Sequence, residues 1–220
     1  MDFGLPFSFV FKDQDWLKKC AITGLITLIP LVGQFYLIGW MLEIAQQVMH
    51  GYREPKLPDL DFGRFLGTGF KVFVVNLVYA IPIFIIYIPA VLLSAVAGNA
   101  DSSSSVTTVL SVVMICVAVL VMLYSLVLAL VLPAAMANVA AQNTIGAGLQ
   151  FGRVLGLVKA NFVAWLLVIV GSMIGGMIGS AGSLICGVGM LLTLPYSVAI
   201  YGHFIGQAYR LSTNQGAPTY

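Results

Sequence analysis

Long apolar runs alternate with short polar breaks along the chain. Residues 20–42, 72–97, 106–135, 161–182 and 185–208 are almost wholly apolar; polar residues gather in 2–19, 50–71, 98–105, 143–160 and the tail after 209. An α-helix needs roughly 20 apolar residues to cross a bilayer, and these runs are of that order. They lack the apolar–polar alternation of a transmembrane strand. The pattern predicts an all-α, polytopic transmembrane helix bundle, a single integral membrane domain over residues 1–220.

The break at 50–71 contains Pro55 and Pro58, which end any helix there. It then runs into Phe62-Gly63-Arg64-Phe65-Leu66-Gly67. The break at 143–160 holds a near copy, Phe151-Gly152-Arg153-Val154-Leu155-Gly156. Each copy stands just before a pair of apolar runs. The two are read as a repeated collar, a short helix lying at the membrane surface, each introducing a helical hairpin. Pro82 and Pro89 are expected to kink run 72–97, since neighbouring helices can satisfy the freed carbonyls. Pro133 marks the inner end of run 106–135, with room for the helix to continue to Gln142. Gly182-Ser183 turns the last hairpin.

Run 20–42 is interrupted by Pro30 and Gly33. Proline removes a helix hydrogen bond and glycine permits a turn. One reading is a single kinked span; the other is two short helices meeting at Pro30-Leu31-Val32-Gly33. Both flanks are basic: Lys12, Lys18 and Lys19 before, Arg53, Lys56, Arg64 and Lys71 after. Because basic residues favour the cytoplasmic side, the charges favour the hairpin. Three hairpins result, the first short or re-entrant.

Composition agrees with this picture. The chain is 60% hydrophobic and 8% charged, with mean hydropathy +1.02, against about 25% charged in soluble domains. A net charge of +2 gives no reason to expect a nucleic-acid partner. Segments 98–105 and 182–184 lack Lys and Arg, whereas the collars carry Arg64, Lys71, Arg153 and Lys159. The expected location is the cell (inner) membrane, with both termini cytoplasmic and the N-terminus retained, since the first residues lack a basic start and a cleavage site. Phe3, Phe7, Phe9, Phe11 and Trp16 suit the headgroup level, and the tail STNQGAPTY is expected to be loose.

Trp16-Leu17-Lys18-Lys19 leads to a short apolar run ending at Ile29-Pro30. A helix containing Gly39 follows and closes at Gly51; then come Glu54, Leu57-Pro58-Asp59 and Phe62-Gly63. This order resembles the domain of unknown function 4013 family, most clearly over residues 13–70. Asp61-Phe62 departs from it, standing where a Trp-Asp-Asp-like sequence is expected. The resemblance implies a small prokaryotic multi-pass membrane protein and supplies no substrate, cofactor or catalytic residue.

The residues themselves carry little catalytic chemistry. Cys20, Cys116 and Cys186 lie in apolar segments without metal or redox spacing. Ser180 and Ser183 lack a credible base, and no nucleotide-binding or hydrolase motif stands in its proper context. No enzyme activity, metal or cofactor is expected. The intramembrane polar candidates are Glu43, Gln46, Gln47, Asn76, Asn138, Gln142, His203 and Gln207. Glu43 should find a partner, since an isolated carboxylate in hydrocarbon is costly. Asn138 with Gln142, and His203 with Gln207, are four apart and share a face. Such residues form interhelical bonds or line a path.

Small residues give a second candidate surface. Gly171, Gly175 and Gly179 recur every four residues, with Ser172, Gly176 and Ser180 beside them. The expectation is that 171–182 forms the tightest helix contact, filled by the last span with its Gly202 and Gly206. Beyond the lipid bilayer, the expected partners are other membrane subunits or further copies of the chain. The leading functional expectation is a non-enzymatic membrane subunit that scaffolds other membrane proteins; the alternative is a small transporter, channel or lipid-handling protein.

Overall fold

The structure, a computed structural model, describes residues 1–97, 104–184 and 188–213. Among these, every regular element is helical: α1 (Leu5–Ser8), a 3-10 turn (Phe9–Lys12), α2 (Trp16–Thr27), α3 (Val32–Met49), α4 (Phe62–Ala97), α5 (Ser104–Gln142), α6 (Ile145–Gly148), α7 (Phe151–Ala160), α8 (Phe162–Ala181), a 3-10 turn (Gly182–Leu184) and α9 (Met190–Ser212). Three segments, Phe62–Ala95, Thr108–Gln142 and Phe162–Leu184, are long and apolar enough to cross a membrane. The chain divides into two compact units, Met1–Val75 with Leu130–Tyr220, and Asn76–Ala129.

In the first unit α9 is the central helix. Ala199, Ile200, Phe204, Ile205 and Ala208 are fully buried along it, and α8, α3 and α2 all pack on it. Small residues set the spacing. Side chains built at Gly202 and Gly206 would meet the carbonyls of Met41 and Ala45, so α3 and α9 run parallel in close contact. Gly24 of α2 abuts the backbone of Leu191.

Residues 17–49 are not one span. α2 ends at Thr27 and α3 starts at Val32, with Leu31 at a positive φ of 63° between them. Gly33 is required there because a side chain would overlap the backbone of Ile26 and Thr27. The tip is apolar and outward-facing: Leu25, Leu28, Ile29 and Leu31 are exposed. Four of its amides are nonetheless occupied, those of Leu28, Ile29, Val32 and Gly33 bonding to carbonyls of Leu25, Ile26, Pro30 and Ile29. A tip with most of its backbone donors spent locally is compatible with an apolar surrounding. At about 1.5 Å per residue, the 12 residues of α2 and 18 of α3 reach roughly 18 and 27 Å, short of the ~30 Å hydrocarbon core.

The two collar copies open helices with matching faces. Phe65 and Val154, the one position where they differ, are the buried members, while side chains at Gly63, Gly67, Gly152 and Gly156 would meet open space. The copies then diverge. After α7 the helix breaks at Asn161, whose side chain accepts the amide of Ala164 and caps α8. The matching position in the first copy is buried Val72, and α4 continues without a break. The first collar is therefore the start of α4 itself, not a separate helix.

The second unit consists of α4 from Asn76 and α5 to Ala129. Pro82 and Pro89 lie inside α4 without ending it. Tyr124 Oη donates to the carbonyl of Tyr79 at 2.8 Å. Ile85, Leu92, Val109, Ile115 and Leu126 are exposed, as lipid-facing side chains would be. The expected polar loop 98–105 falls outside the described residues except for Ser104 and Ser105, which open α5; the tail beyond Thr213 also lies outside them.

One expectation fails at the N-terminus. Phe9, read as a headgroup-level aromatic, is 1% exposed. The first residues fold back along α9, where the Phe9 ring lies 5.0 Å from that of His203, tilted by 42°, and Tyr196 Oη donates to the Phe7 carbonyl at 2.7 Å.

Candidate functional site

The irregular stretch 52–61 is held by side chains from four directions. Gln47 on α3 makes a two-way amide bond with Lys56, both at 3.0 Å. Lys19 Nζ on α2 donates to the Leu57 carbonyl at 2.7 Å, and the Leu57 amide donates to Asp13 Oδ2 at 3.1 Å. Trp40 Nε1 donates to the Pro58 carbonyl at 3.4 Å. Gln207 donates to His203 Nδ1 at 2.9 Å, so the ring proton sits on Nε2, which donates to the Arg53 carbonyl at 3.0 Å. Backbone groups without a ladder partner need such bonds, and these residues supply them.

Charge concentrates in the same region. All 10 Lys and Arg of the chain lie in the first turns of the N-terminal half, in 52–61, at the start of α4, on α7 or at the end of α9. Lys12 pairs with Glu54 at 2.5 Å, and Lys19 with Asp13 and Asp59 at 3.1 Å each. These pairs join the two basic flanks of the first hairpin. Two clefts open beside the stretch: one of about 570 Å³ bordered by Asp13, Lys19 and Glu54, and one of about 590 Å³ bordered by Glu43, Asp59 and Arg64.

Burial alone would raise the Asp13 carboxyl's pKa. The amide of Asp15, the ammonium of Lys19 and the amide of Leu57 outweigh it and hold the group below its ordinary value. A carboxylate whose pKa is lower in the folded state adds stability above its unfolded pKa, about 3.9, and loses it as pH falls through the folded value. Asp13→Asn should therefore flatten the stability profile in acid while lowering stability at neutral pH. Thermal midpoints across pH 3–7 in one detergent check this; parallel wild-type and variant profiles would refute it.

The polar candidates are brought into separate bonded sets. Glu43 pairs with the collar's Arg64 at 2.5 Å. Gln46 donates to the Ala140 carbonyl at 2.6 Å, and its own carbonyl faces His50 Nδ1 at 2.7 Å. Glu43 and His50 thus share a face but not a partner. Asn138 donates to Ala147 at 2.7 Å and accepts from Gln142 at 2.9 Å. Gln207 closes on Asp2, donating to its carbonyl and accepting its amide at 3.0 and 2.7 Å. Asn76 Oδ1 is buried, with no hydrogen-bond partner among the described residues.

The small-residue surface divides. Gly171, Gly175 and Gly179 are buried against α9, where Phe204, Ser197 and Thr193 fill the row. Gly176 is exposed, with no atom within 4 Å of a side chain built on it. Gly202 and Gly206 face α3, not α8. Tighter backbone approaches lie elsewhere: besides Gly24 against Leu191, side chains at Gly39 and Gly69 would overlap the backbones of Phe65 and Phe35. The latter two contacts make α3 and α4 an antiparallel crossing.

Asp13, Lys19 and Trp40 were not candidates in the sequence. Their partners are main-chain groups some 20–40 positions away, which leave no local signature. The acidic turn Asp13-Gln14-Asp15 before Trp16 was the available hint.

No curated protein and no solved structure matches the chain. A family described as "Protein of unknown function (DUF4013)" matches residues 22–203, most of its length. With that match, and with its apolar spans and basic collars, the chain belongs to the DUF4013 family of uncharacterised proteins.

Proposed function

We infer that the protein is a non-enzymatic integral membrane subunit that associates with other membrane proteins. The observation carrying this reading is the closure of five of its interior polar side chains, with the Asn76, Thr23 and Tyr36 oxygens the buried exceptions among the described residues. Gln46, Asn138, Gln142, His203 and Gln207 are each bonded to backbone or to one another. Groups spent this way fix helices and loops; a permeation path would need them turned toward the passing solute. The exposed apolar side chains of the Asn76–Ala129 unit supply surface on which partner helices can pack. The basic residues support an inner-membrane setting with the 52–61 stretch and both termini in the cytoplasm.

One experiment tests both parts. A Ser183→Cys chain is labelled in intact cells with an impermeant maleimide, then extracted in native nanodiscs. The expectation is labelling from outside and a second membrane polypeptide in fixed ratio. Labelling only after lysis would reverse the orientation, and a lone chain would overturn the subunit reading.

A transporter, channel or lipid-handling protein is the second reading, favoured by the cleft of about 590 Å³ beside Glu43. It requires solute flux in proteoliposomes that Glu43→Gln abolishes without loss of assembly.

A further inference from the structure

The geometry points to a binding site for the phosphate of an anionic amphiphile, in the cavity between the N-terminal segment and the end of α9. The cavity has a volume of about 190 Å³ and is bordered by Asp2, Leu5, Val48, Arg53, His203 and Arg210 among others. Pockets that enclose a whole drug-sized ligand run to about 300–1,000 Å³. This one suits a small charged group with the rest of its molecule outside.

The charge balance favours an anion. Two guanidiniums border the space, and Asp2 is the one carboxylate among its lining residues. That carboxylate is already engaged: its Oδ1 accepts the amides of Gly4 and Leu5 at 3.1 and 3.2 Å, and its Oδ2 forms a long ion pair, 3.8 Å, with Arg53, whose side chain is otherwise 79% exposed. Among the described residues, no carboxylate forms an ion pair with Arg210. Guanidinium is weakly hydrated and matches phosphate oxygens in a planar fork.

The frame is also fixed in advance. His203 holds the Arg53 backbone, and Gln207 holds Asp2 through two bonds. Preorganisation of this kind lowers the cost of binding. Leu5, Val48 and Leu211 border the same space. They offer apolar contact to the carbon chain beside a headgroup, which a free phosphate lacks. A membrane phospholipid with net negative charge is therefore the expected source.

The test uses full-length protein in a neutral detergent and three probes: dioctanoyl phosphatidylglycerol, dioctanoyl phosphatidylcholine and glycerol 3-phosphate. Native mass spectrometry or calorimetry gives the affinities. Basic side chains beside an anionic headgroup add to its attraction, so Arg53→Gln with Arg210→Gln should weaken phosphatidylglycerol binding roughly tenfold or more. The Arg53→Lys, Arg210→Lys chain should keep much of that affinity, which separates loss of charge from loss of fold. Phosphatidylcholine should bind weakly to every chain. Glycerol 3-phosphate binding as tightly as the lipid, and lost in the Gln pair, would keep the phosphate site but overturn its lipid source. Unchanged phosphatidylglycerol affinity in the Gln pair would overturn the site. So would an equal loss in an Arg153→Gln, Lys159→Gln control, which would show surface charge alone at work.

Discussion

Gly39→Ala and Gly69→Ala should each destabilise the protein by about 3 kcal/mol or more, although alanine is the better helix former by about 1 kcal/mol. A methyl group at Gly39 would occupy the backbone of Phe65, and one at Gly69 that of Phe35. Neither obstacle is a side chain that can rotate away, so the helices must separate. In lipid, separation loses the close packing that substitutes for a hydrophobic drive. For a chain of this length the cost corresponds to a fall of roughly 6–12 °C in melting temperature. Gly67→Ala is the internal control: it lies on α4 two residues from Gly69, a methyl there meets nothing within 4 Å, and its expected effect is neutral to slightly stabilising. The two damaging changes share one crossing, so the double variant should lose less than their sum. Melting temperatures of Gly39→Ala and Gly67→Ala that coincide would show that the crossing is not as close as described.

The apolar segmentation was legible because a membrane forces it: each spanning helix must be apolar for its whole length. The first hairpin was legible for a related reason. Pro30 and Gly33 break the helix, and the Lys12–Glu54 and Lys19–Asp59 pairs bring its two basic flanks together. Glu43 was legible as a group that must find a partner, and Arg64 is that partner. The critical glycines were hidden. GSMIGGMIG draws attention by repetition, whereas Gly39 and Gly69 are inconspicuous in their own helices. Their importance lies in the residue opposite, which sequence spacing within one helix does not encode. The anchoring of 52–61 was hidden too, since carbonyls accept hydrogen bonds whatever side chain they carry. The continuity of α4 through the first collar turned on a single difference, Val72 against the capping Asn161.

Trp40→Ala should cost about 3–5 kcal/mol, the usual range for emptying a buried tryptophan site, and should loosen 52–61 selectively. Trp40 is fully buried in a cluster with Phe9, Tyr36, Leu57 and Phe65. It therefore joins the N-terminal segment, α3, the polar stretch and the first collar at one side chain. Its indole also reaches the Pro58 carbonyl at 3.4 Å, a long and therefore modest bond. Packing should outweigh that bond. Trp40→Phe, which keeps most of the volume and loses the donor, should cost no more than about 1.5 kcal/mol. Hydrogen exchange separates local from global loss. In Trp40→Ala the amides of 52–61, Leu57 above all, should exchange faster well below the melting temperature, while those of α8 stay protected. If 52–61 keeps its wild-type exchange in Trp40→Ala, the amide and ion-pair contacts from Gln47, Lys19 and Asp13 are sufficient to hold it. Trp40 would then be a packing residue with no hold on the polar stretch.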